Sequence, residues 1–291
     1  MKVTLLGTGC PQCDPDRLGP ASLVQHGGHQ LLIDVGSGAT QRLISAGSSG
    51  RKLQAVLLTH LHSDHIVDLF QLVISSWHQG RDRPQRIYGP AGTRRFVDRL
   101  MALWRAELEQ RIAHEIRPST AALEVEVTEI GAGEVLRLDD VTVHAVSVEH
   151  YPVKQAFGFV IEAGGKRAVF SGDTAPCPAL AEAARDADLL VHECFIHGIM
   201  RPEPGVRTQE GLDNVARYHT ASTEIGRIAA DARVRCLLLN HFVPTKFDKD
   251  AVLADVRRNF RGPALVGEDL MGIDLTTGVV TYAGARFGIG L

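Results

Sequence analysis

Residues 59–65 read Thr-His-Leu-His-Ser-Asp-His, so three imidazoles and a carboxylate stand directly behind the apolar run Ala55-Val56-Leu57-Leu58. A short apolar run of this kind reads as a buried strand. Placing four ionisable groups at its end is costly unless something binds them. Neutral imidazole and carboxylate suit Zn²⁺, Mn²⁺ or Fe²⁺. If the segment stays extended, His60 and His62 point the same way, and Asp64 and His65 turn toward a neighbouring position as the chain enters a helix. One loop can thus feed two adjacent cations.

The same arrangement recurs. Arg167–Phe170 runs into Ser171-Gly172-Asp173, Leu189–Val191 into His192-Glu193, and Leu237–Leu239 into Asn240-His241. Sites usually sit on loops at strand ends held by a rigid sheet. Helix patterns fall at about 39–46, 91–111, 178–185, 221–230 and 249–258, and strand patterns at about 125–130, 141–148, 156–163, 167–171, 188–191 and 236–239. Strands grouped as hairpins with helices interleaved predict an α/β or α+β fold with helices covering sheets, not a clean parallel array. No repeat or linker divides the chain, which reads as one domain over 1–291.

Bulk properties exclude some functions. A net charge of −3 gives no basic excess and argues against a dedicated nucleic-acid binder. No apolar run approaches the ~18 residues of a membrane helix, and the opening Met-Lys-Val-Thr-Leu-Leu-Gly is too short for a signal peptide. Five cysteines in a chain without such a leader predict a reducing cytoplasm. Cys10-Pro-Gln-Cys13 lacks a second pair and reads as incidental.

The H-x-H-x-D-H segment resembles the signature of the metallo-β-lactamase superfamily, and the rest follows in order. His150 in Val-Glu-His-Tyr-Pro resembles that family's third histidine, Asp173 in Phe-Ser-Gly-Asp-Thr its bridging aspartate, and His241 in Leu-Asn-His-Phe its last histidine. Leu-Gly-Thr-Gly at the start and Leu-Leu-Ile-Asp34-Val-Gly also match, so the likeness spans about 2–275. It implies an αββα sandwich of two mixed β-sheets flanked by helices. It also implies one ion on His60, His62, His150 and Asp173, and a second on Asp64, His65, Asp173 and His241, most simply Zn²⁺. Asp34 would orient a ligand. A shared water ionised near neutral pH would be the nucleophile, with Asp64 also accepting a proton.

Two further segments resemble the ribonuclease Z branch. Leu-Leu-Val-His192-Glu193-Cys-Phe and Tyr-His219-Thr220-Ala-Ser-Thr match its Glu and His motifs, which implies that Glu193 orients His219 as the acid for the leaving oxygen, with His192 packing nearby. Two departures bear on the substrate. Only residues 151–172 separate His150 from Asp173, where the branch carries a long tRNA-gripping arm, and its basic Pro-x-Lys-x-Arg-Asn loop is replaced by Asp14-Pro-Asp16-Arg17. The resulting expectation is hydrolysis of a small-molecule ester-type bond (phosphodiester, carboxylic ester, lactone or sulfate ester), with nucleic acid disfavoured as a partner. A tRNA 3′-end endonuclease is the alternative, and a non-catalytic metal-binding scaffold is the reading from another class. Kinship also suggests a homodimer. Residues 75–125 are expected as a lid or insert, Trp77, Phe195 and Phe242 as walls of an apolar pocket, and Lys154 as a partner for an anionic group.

Overall fold

Period-two alternation of apolar residues builds both sheets. In the computed structural model, which describes residues 1–290, Val3, Leu5, Leu31, Ile33, Ala55 and Leu57 face one core while Leu6, Leu32, Val56 and Leu58 face another. Successive side chains of a strand point to opposite faces, so a continuous apolar run demands cover on both sides.

The first half of the chain gives β1 (Lys2–Gly7), β2 (Ala21–His26), β3 (His29–Ile33), α1 (Ala39–Ser45), β4 (Ala55–Leu57), α2 (Ser63–Ile66), α3 (Leu69–His78), β5 (Gln85–Gly89), α4 (Thr93–Leu103), α5 (Arg105–Glu115) and β6 (Val125–Glu129). The second gives β7 (Gly133–Leu138), β8 (Val141–Ser147), β9 (Phe157–Ala163), β10 (Lys166–Phe170), α6 (Pro178–Ala183), β11 (Leu189–Phe195), α7 (Gln209–Ala216), α8 (Ser222–Asp231), β12 (Leu237–Val243), α9 (Lys249–Arg257) and β13 (Ala264–Val266). Three short strands close the chain: β14 (Gly272–Asp274), β15 (Val279–Tyr282) and β16 (Ala285–Gly288).

Among the described residues, one sheet runs β16-β15-β14-β1-β2-β3-β4-β5-β6 and the other β13-β12-β11-β10-β9-β8-β7. Both are mixed: β1–β3 pair antiparallel while β3–β6 pair parallel, and β7–β10 pair antiparallel while β10–β13 pair parallel. Leu5, Ile33 and Leu57 of the first sheet meet Phe159, Phe170, Val191 and Leu238 of the second in a central core. Leu43, Leu69, Leu72 and Val97 of α1, α3 and α4 cover the first sheet outside, and Leu180, Ile225, Ala229, Val252 and Val256 of α6, α8 and α9 cover the second. These layers make the expected αββα sandwich of two mixed β-sheets.

Details differ from the sequence reading. The helix predicted over 91–111 is two helices parted at Trp104, whose ring stacks on Phe70 at 4.5 Å. Residues 75–125 place β5 between β4 and β6 within the first sheet, with α4 and α5 outside it. No helix among the described residues is long and apolar enough to cross a membrane.

Parallel pairing sets the edge where chemistry collects. The carboxyl ends of β3 and β4 carry Asp34 and Thr59-His60, while β10, β11 and β12 bring Asp173, Glu193 and His241 to the matching edge of the other sheet. Phe157 N donates to Thr59 O at 2.9 Å and ties the sheets there. Gly172 makes that approach possible: its φ is 58°, and a Cβ would meet Phe157 O at 2.6 Å.

Candidate metal centre

The seven side chains expected to ligate metal converge on this edge. His60 is fully buried behind β4, and α2 carries Asp64 and His65, both buried, into the same space. His150 follows β8, and Asp173 follows β10. His241 arrives through a bulge: Glu193 pairs with Asn240 and Cys194 with Phe242, so His241 is the extra residue, at φ 43°. A bulge re-aims one side chain without moving the sheet, and a non-glycine residue in the left-handed region marks a site the fold over-determines. Asp34, at φ 58°, is the second such residue here.

Two donor sets result. His60, His62, His150 and Asp173 each offer an atom within 4.8 Å of the others, as do Asp64, His65 and His241. Asp173 Oδ2 links them, at 3.9 Å from His60 Nε2 and from His150 Nε2, and at 3.4 Å from His65 Nε2 and from His241 Nε2. Asp64 Oδ2 lies 3.5 Å from His65 Nε2 and 3.3 Å from His241 Nε2.

These residues fit divalent cations on three counts. His60 Nε2 and His65 Nε2 are buried without a hydrogen-bond partner, which is costly unless a Lewis acid takes the lone pair. His62 Nδ1 and His150 Nε2 stand 3.2 Å apart, close to the ~3.3 Å expected of two nitrogens sharing one tetrahedral ion at ~2.0–2.1 Å. The outer ring nitrogens are also held. His65 Nδ1 donates to Asp34 Oδ2 at 2.8 Å, and His150 Nδ1 to Tyr218 O at 2.9 Å. Thr59 Oγ1 donates to Asp34 Oδ2 at 2.9 Å and stands 3.0 Å from His60 Nδ1. Such partners fix the tautomer that leaves the inner nitrogen free to ligate.

Electrostatics agree. Burial and the neighbouring His65 hold His60 well below the ordinary histidine range, and burial lowers His62 and His150. Burial opposes charge on His65 too, but Asp173 and Asp34 prevail and raise it well above that range. Asp173 is the counterpart: despite burial, His241 and His65 hold its carboxyl well below the usual range. The cluster is a negative centre ringed by imidazoles, ready to exchange protons for cations.

Beside it, Glu193 Oε1 and Oε2 each stand 2.9 Å from His219 Nδ1. Thr174 N at 2.8 Å and Thr220 N at 3.3 Å also donate to Oε1. Burial works against charge on His219, but Glu193 outweighs it and pushes the imidazole up to about 9. His192 lies on the other face of β11, with Nδ1 2.8 Å from Glu193 O.

Other expected residues lie apart from this centre. Trp77 is buried under α3 with Nε1 donating to Ser119 O at 2.7 Å, and Phe242 packs in the outer core against Phe247. They wall no pocket over the metals, because each is consumed by a core. Phe195 is also buried and stacks on the His219 ring at 5.7 Å, which helps to hold that ring in place. Lys154 is exposed, and the five cysteines are unpaired. Sequence reasoning missed the parts that Thr59 and Tyr218 play in holding the rings. They act through a hydroxyl and a main-chain carbonyl, which leave no motif.

Comparison with known proteins places this geometry. The family model described as anti-Pycsar protein Apyc1 matches residues 1–203. Ribonuclease Z of Mycobacterium marinum is 37% identical over 280 residues, covering 94% of this chain and 99% of that protein. Among solved structures, the metallo-β-lactamase fold protein YhfI of Bacillus subtilis aligns with TM-score 0.72 at 22% identity, over 93% of this chain and 97% of that one. The short form of human tRNase Z aligns with TM-score 0.70 at 23% identity, over 94% and 99%.

These matches overturn the expectation of a small-molecule ester substrate with nucleic acid disfavoured. The short 151–172 connection does not set this chain apart: the alignment covers 99% of the mycobacterial protein and 94% of this chain, so neither has room for a long arm that the other lacks. The acidic loop also counts for less than it seemed. Asp14 accepts from Thr245 Oγ1 at 2.8 Å and Asp16 N at 2.9 Å, and Arg17 is buried against Glu268, so only Asp16 of the three is exposed. Net charge reports none of this local arrangement.

Proposed function

The chain is a metal-dependent hydrolase of the metallo-β-lactamase superfamily, belonging to the ribonuclease Z family and to that of the anti-Pycsar protein Apyc1 model, and from this premise we propose that it cuts tRNA precursors at the 3′ end. The observation that carries the reading is the full-length likeness to ribonuclease Z at 37% identity. Divalent cations are part of its machinery. We assign one to His60, His62, His150 and Asp173, a second to Asp64, His65, Asp173 and His241, and the metal as Zn²⁺, which suits imidazole-rich sets. Bound there, the pair supplies an ionised water near neutral pH and Lewis acidity toward the phosphate.

The chain's own residues do the rest. Asp64 takes a proton from the attacking water. Asp34 and Thr59 hold the His65 and His60 rings in their ligating orientation. Glu193 keeps His219 protonated with Nδ1 facing the carboxylate, so that Nε2 delivers its proton to the leaving ribose oxygen. A ribose alkoxide is a poor leaving group, so phosphodiester cleavage gains from such an acid. The five unpaired cysteines suit a reducing cytoplasm.

The test is direct. Zn²⁺- or Mn²⁺-loaded protein is incubated with a tRNA precursor carrying a 3′ trailer, and the ends are mapped. Cleavage at the trailer junction is expected. Hydrolysis of bis-p-nitrophenyl phosphate with no cut in the precursor would sink the tRNA reading and leave the hydrolase in place.

A further inference from the structure

A cleft of about 440 Å³ is lined by His62, Asp64, Asp173 and His241 of the metal-site residues and also by Met200, Arg207, Val215 and Tyr218. Arg207 is the one Lys or Arg in that lining. Its position is built. Glu203 N donates to Arg207 O at 2.9 Å and Arg207 N to Glu203 O at 3.0 Å, closing a tight turn. Its Nε donates to Arg201 O at 3.0 Å and its Nη2 to Glu203 Oε2 at 3.1 Å. Among the described residues Nη1 has no protein partner, and the side chain is 37% exposed. Arg17, also near the cleft, is by contrast spent on Thr8, Gly267 and Glu268 and on the rings of Phe242 and Phe247.

Tyr218 lines the same cleft. Its carbonyl holds His150, but its half-buried ring has no task in the centre. The ring meets His150 edge-on at 5.0 Å and lies 4.9 Å from the His219 ring. An aromatic ring beside His219 and a braced guanidinium in the same cleft match a base and a phosphate of one nucleic-acid strand: unstacked bases pack on aromatic rings, and a fixed guanidinium suits phosphate.

The geometry points to Arg207 and Tyr218 as the residues that read the RNA strand beside the scissile bond, Tyr218 stacking a flanking base and Arg207 holding the adjoining phosphate. This rests on the RNA reading above and adds which residues set substrate preference. Hydrolysis of a bare phosphodiester needs neither contact.

The experiment compares wild type, Arg207→Gln, Arg207→Lys, Tyr218→Leu and Tyr218→Phe as metal-loaded proteins with metal content confirmed. It measures kcat/KM on the tRNA precursor and on bis-p-nitrophenyl phosphate, and binding of a fluorescent single-stranded RNA by anisotropy over a salt series. Arg207→Gln and Tyr218→Leu should each lower the RNA-to-aryl-ester ratio about 5-fold or more and weaken RNA binding alike. Arg207→Gln should also flatten the salt dependence by about 0.7 in log–log slope, the signature of one lost strand phosphate contact, and Tyr218→Leu should not. Tyr218→Phe should keep the ratio, and Arg207→Lys should restore part of it. An unchanged ratio with unchanged RNA binding, whether both activities fall together or neither does, overturns the proposal. Cleavage away from the tRNA trailer junction overturns the tRNA assignment alone, because RNA binding by the variants still decides the roles of Arg207 and Tyr218.

Discussion

Asp34 Oδ2 lies 2.8 Å from His65 Nδ1, across thirty-one residues of chain, and its partner oxygen Oδ1 accepts the Thr59 amide at 2.8 Å. One carboxylate thus fixes a ring expected to ligate metal and the turn that delivers His60. Asp34→Asn keeps a residue type that tolerates the left-handed φ of 58° but replaces one acceptor with a donor facing donors. Divalent-metal affinity should fall about 10–100-fold, read by competition with a chromogenic chelator. Wild-type affinity in this variant would remove Asp34 from the orienting role.

Asp173 is the hub of the centre, its Oδ2 within 3.4–3.9 Å of four histidines. Asp173→Ala should lose at least one of two metal equivalents by elemental analysis and nearly all hydrolysis. Full retention of both metals would show that the two sets do not share it.

Much of this was legible in the sequence for a physical reason. Ligands are side chains, and their spacing is written in the chain: Thr-His-Leu-His-Ser-Asp-His behind Ala55–Leu58 could be read at once, as could Asp173 behind β10 and Glu193 near the carboxyl end of β11. The continuous apolar strands likewise announced sheets covered on both faces. What stayed hidden depends on backbone geometry. The bulge that turns His241 inward is set by register with β11, and the carbonyl of Tyr218 that holds His150 has no residue signature. The helix α7 was missed because it buries only Leu212 and so shows no apolar stripe, and the closing strands β14–β16 because three or four residues are too few to show a period. The substrate was misjudged because the short 151–172 connection is no departure from the mycobacterial relative, and because the sequence of the loop Asp14–Arg17 does not tell that Asp14 and Arg17 are satisfied internally.

Acid sensitivity should trace in part to the pole of the sandwich opposite the metals. Asp188, before β11, accepts from Arg167 N at 2.9 Å, Lys166 Nζ at 3.0 Å and Arg235 Nη1 at 3.0 Å. Burial alone would raise its carboxyl, but these donors hold it below the ordinary value of 3.8. A carboxyl depressed in the folded state stabilises the fold above its unfolded pKa, and that stability is lost as pH falls through the folded value. Asp188→Asn should therefore destabilise the protein by roughly 1–3 kcal/mol at pH 7, with the gap from wild type closing below about pH 4. Thermal melts between pH 7 and pH 3 measure it; a gap independent of pH would show that charge on Asp188 is not the cause.

The Glu193–His219 pair should set the basic limb of the pH profile. Glu193 pushes His219 up to about 9, and the acid role requires the protonated ring. Activity on poor leaving groups should hold while His219 keeps its proton and fall as pH rises through its pKa. Bound cations repel the charged ring and lower that pKa, but they act on wild type and variant alike. In Glu193→Gln the counter-charge is gone, so the falling limb should move to lower pH by at least one unit. His219→Ala should slow an alkyl phosphodiester by about 10²–10⁴-fold and bis-p-nitrophenyl phosphate far less, because nitrophenolate departs without a proton. Equal losses on both esters, or a basic limb that stays in place in Glu193→Gln, would assign the pair to holding the fold and leave the leaving-group proton to another donor.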